Sequence, residues 1–202
     1  MTLHRSILLK GIKGFLSRYV VTRDKFGFIH KTSVLCPPLT ISGGKNIFIH
    51  ENVAIGADCL LYATHAKITI RRGLVAAKGL KIITGGHERR IGRMLYSITD
   101  ADKDLSIGLD KDIIIEEDVW AGMDVMILKG VTIGRGCTLA ARSVVTRSTP
   151  PYSIVGGTPA RFIKFYWTID QILEHESNLY QEDERYTRTQ LEEIFSKYVS
   201  IK

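Results

Sequence analysis

Chemistry in this chain of 202 residues has to come from groups that can move protons or grip charge. Six histidines are present, and imidazole is the side chain best suited to taking a proton from a hydroxyl near neutral pH. His4 and His175 fall in segments patterned as helices, and no motif surrounds His30, His50 or His65. His87 differs. It closes the run Ile82-Ile-Thr-Gly-Gly-His87-Glu88, where an apolar, strand-like stretch opens into a long polar segment. That place suits a general base, and an inert surface imidazole is the competing reading. Glu88 either orients the ring and fixes its tautomer, contributing to a substrate site, or is a solvated loop carboxylate. A second group comes late in the chain: Arg142, Arg147, Arg161 and Lys164. The fixed donor fork of arginine matches phosphate oxygens, so these cations either hold a polyanion or are solvated charge.

The elements that would position these groups are written in a repeat. Ile115, Ala121, Ile127, Ile133, Leu139 and Val145 stand six apart, with Val119, Val125, Val131, Cys137 and Ser143 each four residues after a member of that series. A six-residue period fits neither a 3.6-residue helix nor a simple alternating strand, so it is an internal repeat. Each hexapeptide supplies one short strand and one corner, and three of them close a narrow triangular coil with small residues inside. The period continues upstream through Ile49, Ile55 and Leu61. A three-residue insertion around Thr64 to Lys67 then shifts it to Ile70, Ala76 and Ile82. About four coils are expected. Coils stack at roughly 4.8 Å, so Ile115 should lie beneath Ile133, Ala121 beneath Leu139 and Ile127 beneath Val145. The expected class is mainly β, a parallel β-helix of hexapeptides, over residues 39–164. Residues 85–112 loop out of its wall, and such excursions are usually functional or disordered.

The flanks read differently. Residues 1–38 form a lead-in with a helix near 3–20, built on Leu3, Ile7, Leu8, Ile12, Phe15, Leu16 and Tyr19 and weakened by Gly11 and Gly14. Residues 165–202 read as a helical extension. Thr168-Ile-Asp-Gln171 and Thr189-Gln-Leu-Glu192 have the capping-box pattern and start helices near 169–180 and 189–199. Covering the open ends of the β-helix is the expected role of both flanks.

Bulk properties narrow the function. The net charge is +7, yet no helix-turn-helix, zinc-finger or aromatic-studded RNA-binding pattern accompanies it, which argues against nucleic acid. No apolar run approaches the roughly 20 residues that cross a bilayer. The first residues lack the uninterrupted apolar stretch of a signal peptide. Cys36, Cys59 and Cys137 make no C-x-x-C pair, and the last two fall on small-residue positions of the repeat, as buried thiols do. A cytoplasmic protein is expected. The basic first helix could rest on an anionic membrane surface or pack on the β-helix end.

Four stretches carry a family resemblance: Ile115-Glu-Glu-Asp-Val-Trp120-Ala-Gly122, Ile127-Leu-Lys-Gly-Val-Thr-Ile-Gly134, Ser143-Val-Val-Thr146-Arg147, and Pro151-Tyr-Ser-Ile-Val-Gly156-Gly157-Thr-Pro159-Ala160-Arg161. Over residues 47–165 the chain resembles the hexapeptide-repeat acyltransferases, in the branch of galactoside, maltose and xenobiotic acetyltransferases. The tail around Phe165-Tyr-Trp167 is similar to that of polysaccharide O-acetyltransferases. The resemblance implies a left-handed β-helix and a homotrimer with active sites between subunits. It implies acetyl-coenzyme A as cosubstrate, no metal, and a small-molecule or glycan acceptor. It places His87 at the catalytic base and Trp120 in the cleft beside the pantetheine arm. It assigns Gly122, Ala141, Thr146, Arg147, Arg161 and Lys164 to cofactor contact. The implied reaction is O-acetylation of a sugar hydroxyl in surface-polysaccharide synthesis.

Two departures bear on the site. Ala140-Ala-Arg142-Ser143 puts a bulky cation where the family tends to keep glycine, and Ala121 replaces the commoner isoleucine. Three other functions stay open: N-acetylation of an amino sugar nucleotide or an antibiotic, a non-catalytic scaffold, and a zinc carbonic anhydrase. The last needs closely spaced histidines, whereas no second histidine follows His87 within its loop.

Overall fold

The computed structural model describes residues 2–199, with side chains described from residue 11 to residue 198. Three parallel sheets form the walls of a left-handed prism. The first wall stacks Phe28–Ile29, Ile47–Ile49, Ile68–Ile70, Ile113–Ile115 and Thr132–Ile133. The second stacks Val34–Leu35, Ala54–Ile55, Val75–Ala76, Trp120–Ala121, Thr138–Leu139 and Ser153–Gly157, with Ala160–Phe165 added antiparallel at its edge. The third stacks Leu39–Ser42, Cys59–Tyr62, Lys81–Ile83, Met126–Leu128 and Val144–Val145.

The stacking register is the one the six-residue period dictates. Ile115 pairs with Ile133, Ala121 with Leu139, and Ile127 with Val145. The shift at Thr64 to Lys67 aligns Ile49 with Ile70 and Leu61 with Ile82. Both series of the repeat point inward, so Val119, Val125, Val131 and Cys137 join the aliphatic residues in one continuous core. Emptying one such position would cost about 2–5 kcal/mol, because the narrow prism cannot close over the gap. Cys59 and Cys137 are buried and Cys36 is exposed.

The wall starts earlier than residue 39. Phe28–Ile29 and Val34–Leu35 lie in register on the coil above them, giving five coils rather than about four. Ile29, Leu35 and Ile41 keep the six-residue spacing there, but they are only partly buried.

Three helices flank the prism. Helix α1 (Thr2–Tyr19) meets it along Leu39–Ser42. The side chains of Leu3, Ile7 and Leu8 lie outside those described. Helices α2 (Ile169–Leu179) and α3 (Arg188–Val199) run beside the walls rather than over an open end. Arg72 pairs with Glu184 at 3.6 Å, His175 with Asp118 at 3.4 Å and Arg135 with Glu176 at 3.1 Å. Those partners occupy one corner of three successive coils, so this helical pair is a buttress. Tyr152 is fully buried between Ile172 and Leu191. Its hydroxyl donates to Glu176 at 2.7 Å, and burial raises its pKa far above the ordinary phenol range. Thr168 and Gln171 form the expected capping box. The second box is Thr187 with Gln190, whose backbone and side-chain bonds are reciprocal, two residues before the expected Thr189.

Candidate active site

His87 follows the strand Lys81–Ile83 at the point where the third wall opens into the long loop. Its ring is exposed and has no hydrogen-bond partner within the described residues. It stands at a cavity of about 540 Å³. One side is the third wall, through Leu60, Tyr62 and Ile83; the other is the loop, through Thr99, Asp100, Lys103 and Asp110. The loop is folded, with single 3₁₀ turns at Leu95–Ser97, Asp100–Asp102 and Leu105–Ile107.

The two glycines before His87 are not equivalent. A Cβ on Gly85 would overlap Asp110 Oδ1, whereas Gly86 has only Lys129 Nζ nearby, at 3.8 Å. A side chain at position 85 would therefore displace the Asp110 carboxylate where the returning loop crosses the wall. Asp110 is nearly buried there and ion-paired with Lys103, which is nearly buried as well. Neither carboxylate oxygen of Asp110 accepts a hydrogen bond.

Glu88 does not orient His87. Glu88 is buried while His87 is exposed. Its Oε1 accepts from Arg90 Nε at 2.5 Å and its Oε2 from the Asp104 amide at 2.9 Å. These bonds, the Arg90 one foremost, hold its pKa below the ordinary glutamate range. Asp102 is held low by the Thr99 amide and hydroxyl and by Arg93, and Asp104 by the Ser106 hydroxyl and amide. These carboxylates tie the loop together. Tyr62, Thr64, Thr99, Asp100, Lys103 and Asp110 carry no sequence motif: coil stacking sets Tyr62 against Ile83, and the folded loop brings Thr99, Asp100, Lys103 and Asp110 to the histidine.

Arg147, Arg161 and Lys164 come together elsewhere. They line a cavity of about 570 Å³ at the last coil, with Phe162, Phe165 and Tyr198 as its apolar side. Thr146 is exposed beside it in sequence and does not line it. Trp120 lies on the second wall, 55% exposed, with its backbone in register between Val75 and Thr138. It lines neither cavity. Gly122 was expected to let backbone approach a ligand. Its close neighbour within the chain is the next coil, where a Cβ would stand 2.8 Å from the Ala141 amide nitrogen. Arg142 takes a left-handed conformation, φ 60°, at the corner where Asp58, Gly79 and Asp124 take it in the other coils. Within one chain, then, His87 and the late cations are separate sites. Among the described residues no group of histidine, cysteine and carboxylate side chains could hold a metal ion.

Residues 112–147 match the bacterial transferase hexapeptide (six repeats) profile. The solved structure of a hexapeptide-repeat acetyltransferase from Vibrio cholerae is 33% identical, over 72% of this chain and 77% of that one, with a TM-score of 0.60. This chain is a hexapeptide-repeat acyltransferase. A second structure of the Vibrio protein, complexed with acetyl-coenzyme A, matches at 29% identity over 78% of this chain and 85% of that one, TM-score 0.62. A maltose O-acetyltransferase from Clostridium difficile is 28% identical over 72% and 73% of the two chains, TM-score 0.60. The chloramphenicol acetyltransferase of Klebsiella aerogenes is 44% identical over 59 residues, which are 29% of this chain and 28% of that enzyme's length.

Proposed function

We propose that this acyltransferase moves an acetyl group from acetyl-coenzyme A to a sugar hydroxyl, with His87 as general base, in the cytoplasmic assembly of a surface polysaccharide. The observation that carries the reading is the unpartnered imidazole of His87 at a cavity whose polar lining includes Thr64, Thr99, Asp100 and Lys103, groups able to hydrogen-bond hydroxyls. The Clostridium relative, a maltose O-acetyltransferase, favours a sugar acceptor.

The residues present fit the donor. Coenzyme A is polyanionic at one end, and Arg147, Arg161 and Lys164 share one cavity with an aromatic side. The Vibrio relative was solved with acetyl-coenzyme A. The working unit is a homotrimer. Val34, Val75 and Trp120 form an exposed apolar stripe down the second wall, and burying it between copies would bring one subunit's wall beside another's loop.

Acetyl-coenzyme A supplies the activated acetyl thioester. His87 accepts the acceptor hydroxyl proton on a ring nitrogen as the oxygen attacks the carbonyl. The imidazolium then returns a proton to the departing thiolate, leaving acetyl ester and free coenzyme A. Glu88 and Asp104 hold the loop that forms the far side of this cavity. No cysteine lines the His87 cavity, so transfer is direct.

Steady-state kinetics with acetyl-coenzyme A and a panel of glycosides tests the assignment in two arms. His87→Ala should keep donor affinity and lose about 10²–10⁴-fold in turnover. Arg161→Gln should keep turnover at saturation and weaken donor affinity. Near wild-type turnover in the first variant removes His87 from the mechanism. The Klebsiella relative favours a second acceptor class, an antibiotic. An amino-sugar nucleotide belongs to the same test, since amine and hydroxyl acceptors in one panel separate N- from O-acetylation.

A further inference from the structure

Helix α1 leaves its apolar stripe uncovered. Ile12, Phe15, Leu16, Tyr19 and Val20 fall at i, i+3, i+4, i+7 and i+8, one face of a helix, and each is 47–61% exposed. The rings of Phe15 and Tyr19 lie 4.6 Å apart, against each other. Every residue from Gly11 to Tyr19 is exposed. Gly11 and Gly14 have nothing within 4 Å of where a Cβ would stand, so packing explains neither, and together they leave the helix marginal in water.

Charge decides what covers the stripe. The first carboxylate of the chain is Asp24; before it every charged side chain is cationic, namely Arg5, Lys10, Lys13, Arg18 and Arg23. The helix itself carries cations alone, although Arg18 also lies near Asp58 of the prism, and an apolar stripe on an all-cationic helix matches an anionic lipid surface. We propose that α1 is an interfacial helix that lays Ile12, Phe15, Leu16, Tyr19 and Val20 into an anionic bilayer, with Lys13 and Arg18 against its headgroups.

The seat of the helix gives this a consequence. α1 meets the prism at Leu39–Ser42, the first strand of the third wall. The next two strands of that wall supply Leu60, Tyr62 and Ile83 to the His87 cavity. At about 4.8 Å per coil, the cavity starts within roughly 10 Å of the seat of the helix, so docking α1 holds the cavity at the lipid surface.

The full chain would be sedimented with phosphatidylcholine vesicles and with vesicles containing 30% phosphatidylglycerol. The expected result is partition onto the anionic vesicles alone, falling about tenfold or more as salt rises from 50 to 500 mM. The double substitution Phe15→Asp and Leu16→Asp should lower the partition at least tenfold while circular dichroism and gel-filtration volume stay as in wild type. Three results overturn the proposal: no partition of wild type onto anionic vesicles at low salt, partition untouched by the double substitution, or loss of the oligomer in that variant without lipid. The last would mean that the stripe is a contact between copies of the chain.

Discussion

A Cβ placed on Gly122 would stand 2.8 Å from the Ala141 amide nitrogen and 3.1 Å from its Cα. The corner after Trp120 therefore fits under the turn 140–142 only because position 122 carries no side chain. Gly122→Ala must push that turn outward, and overpacking of this kind costs about 1–3 kcal/mol. The expected outcome is a lower melting temperature and, if the proposed contact of Ala141 with the donor holds, weaker acetyl-coenzyme A binding. Calorimetric titration of the donor beside a thermal melt measures both. Wild-type values for each would show that the corner yields freely.

Arg142 sits in that same turn with φ 60°. A left-handed backbone costs a side-chain-bearing residue about 1–2 kcal/mol, and nothing but Thr158 Oγ1, donating to the Arg142 carbonyl at 3.4 Å, marks the position as special. Arg142→Gly should be neutral to stabilising by about 1 kcal/mol in urea denaturation. A clear destabilisation would mean that the guanidinium holds something the backbone geometry does not reveal.

Glu176 is a different kind of contact. It accepts from the Tyr152 hydroxyl, from Arg135 and from the Tyr186 amide, with almost no exposure of its own. Removing one member of a buried ion pair strands the other, typically at a cost of about 3–5 kcal/mol. Glu176→Ala should loosen α2 and α3 from the prism by roughly that amount. Tyr152→Phe, which loses one hydrogen bond to a charged group, should cost about 1.5–3 kcal/mol. Hydrogen exchange at residues 169–199, compared with residues 113–145, locates the effect. Equal loss in both regions would make the helices part of one cooperative unit with the walls.

The long loop should respond to acid. Glu88, Asp102 and Asp104 all have pKa values below the ordinary carboxylate range. A group whose folded pKa is depressed adds stability above its unfolded pKa and loses it as pH falls through the folded value. The loop should thus be fully held above about pH 5 and loosen below about pH 4, ahead of the prism. Hydrogen exchange of residues 88–107 across that range checks it. Protection that rises on acidification would contradict the sign.

Much of the prism could be read from sequence because six-residue spacing is a direct consequence of one strand and one corner per repeat. Ile115 to Val145 show the pattern without interruption, and the shift at Thr64 to Lys67 leaves its phase intact on either side. The first coil escaped notice for a physical reason. Ile41 to Ile49 spans eight positions because the turn Gly44–Asn46 intervenes, so the spacing of Ile29, Leu35 and Ile41 does not run on into the later repeat. The place of His87 at the mouth of the loop was legible, since the six-residue pattern stops just before it. Its surroundings were not: Tyr62, Asp100 and Asp110 meet only after the loop folds back on Gly85. Glu88 is next to His87 in sequence, yet its carboxylate is buried on Arg90 and the Asp104 amide while the imidazole is exposed.

One corner of the prism absorbs every change in length. The 3₁₀ turn Gly44–Asn46, the longer turn after Tyr62 and the whole loop after Ile83 all leave between the third wall and the first. They are stitched one above another, with Asn46 Nδ2 on the Ala63 carbonyl and Lys129 Nζ on the Leu109 carbonyl. Lengthening or trimming that single seam would therefore reshape the cavity beside His87 while the stacked walls keep their register.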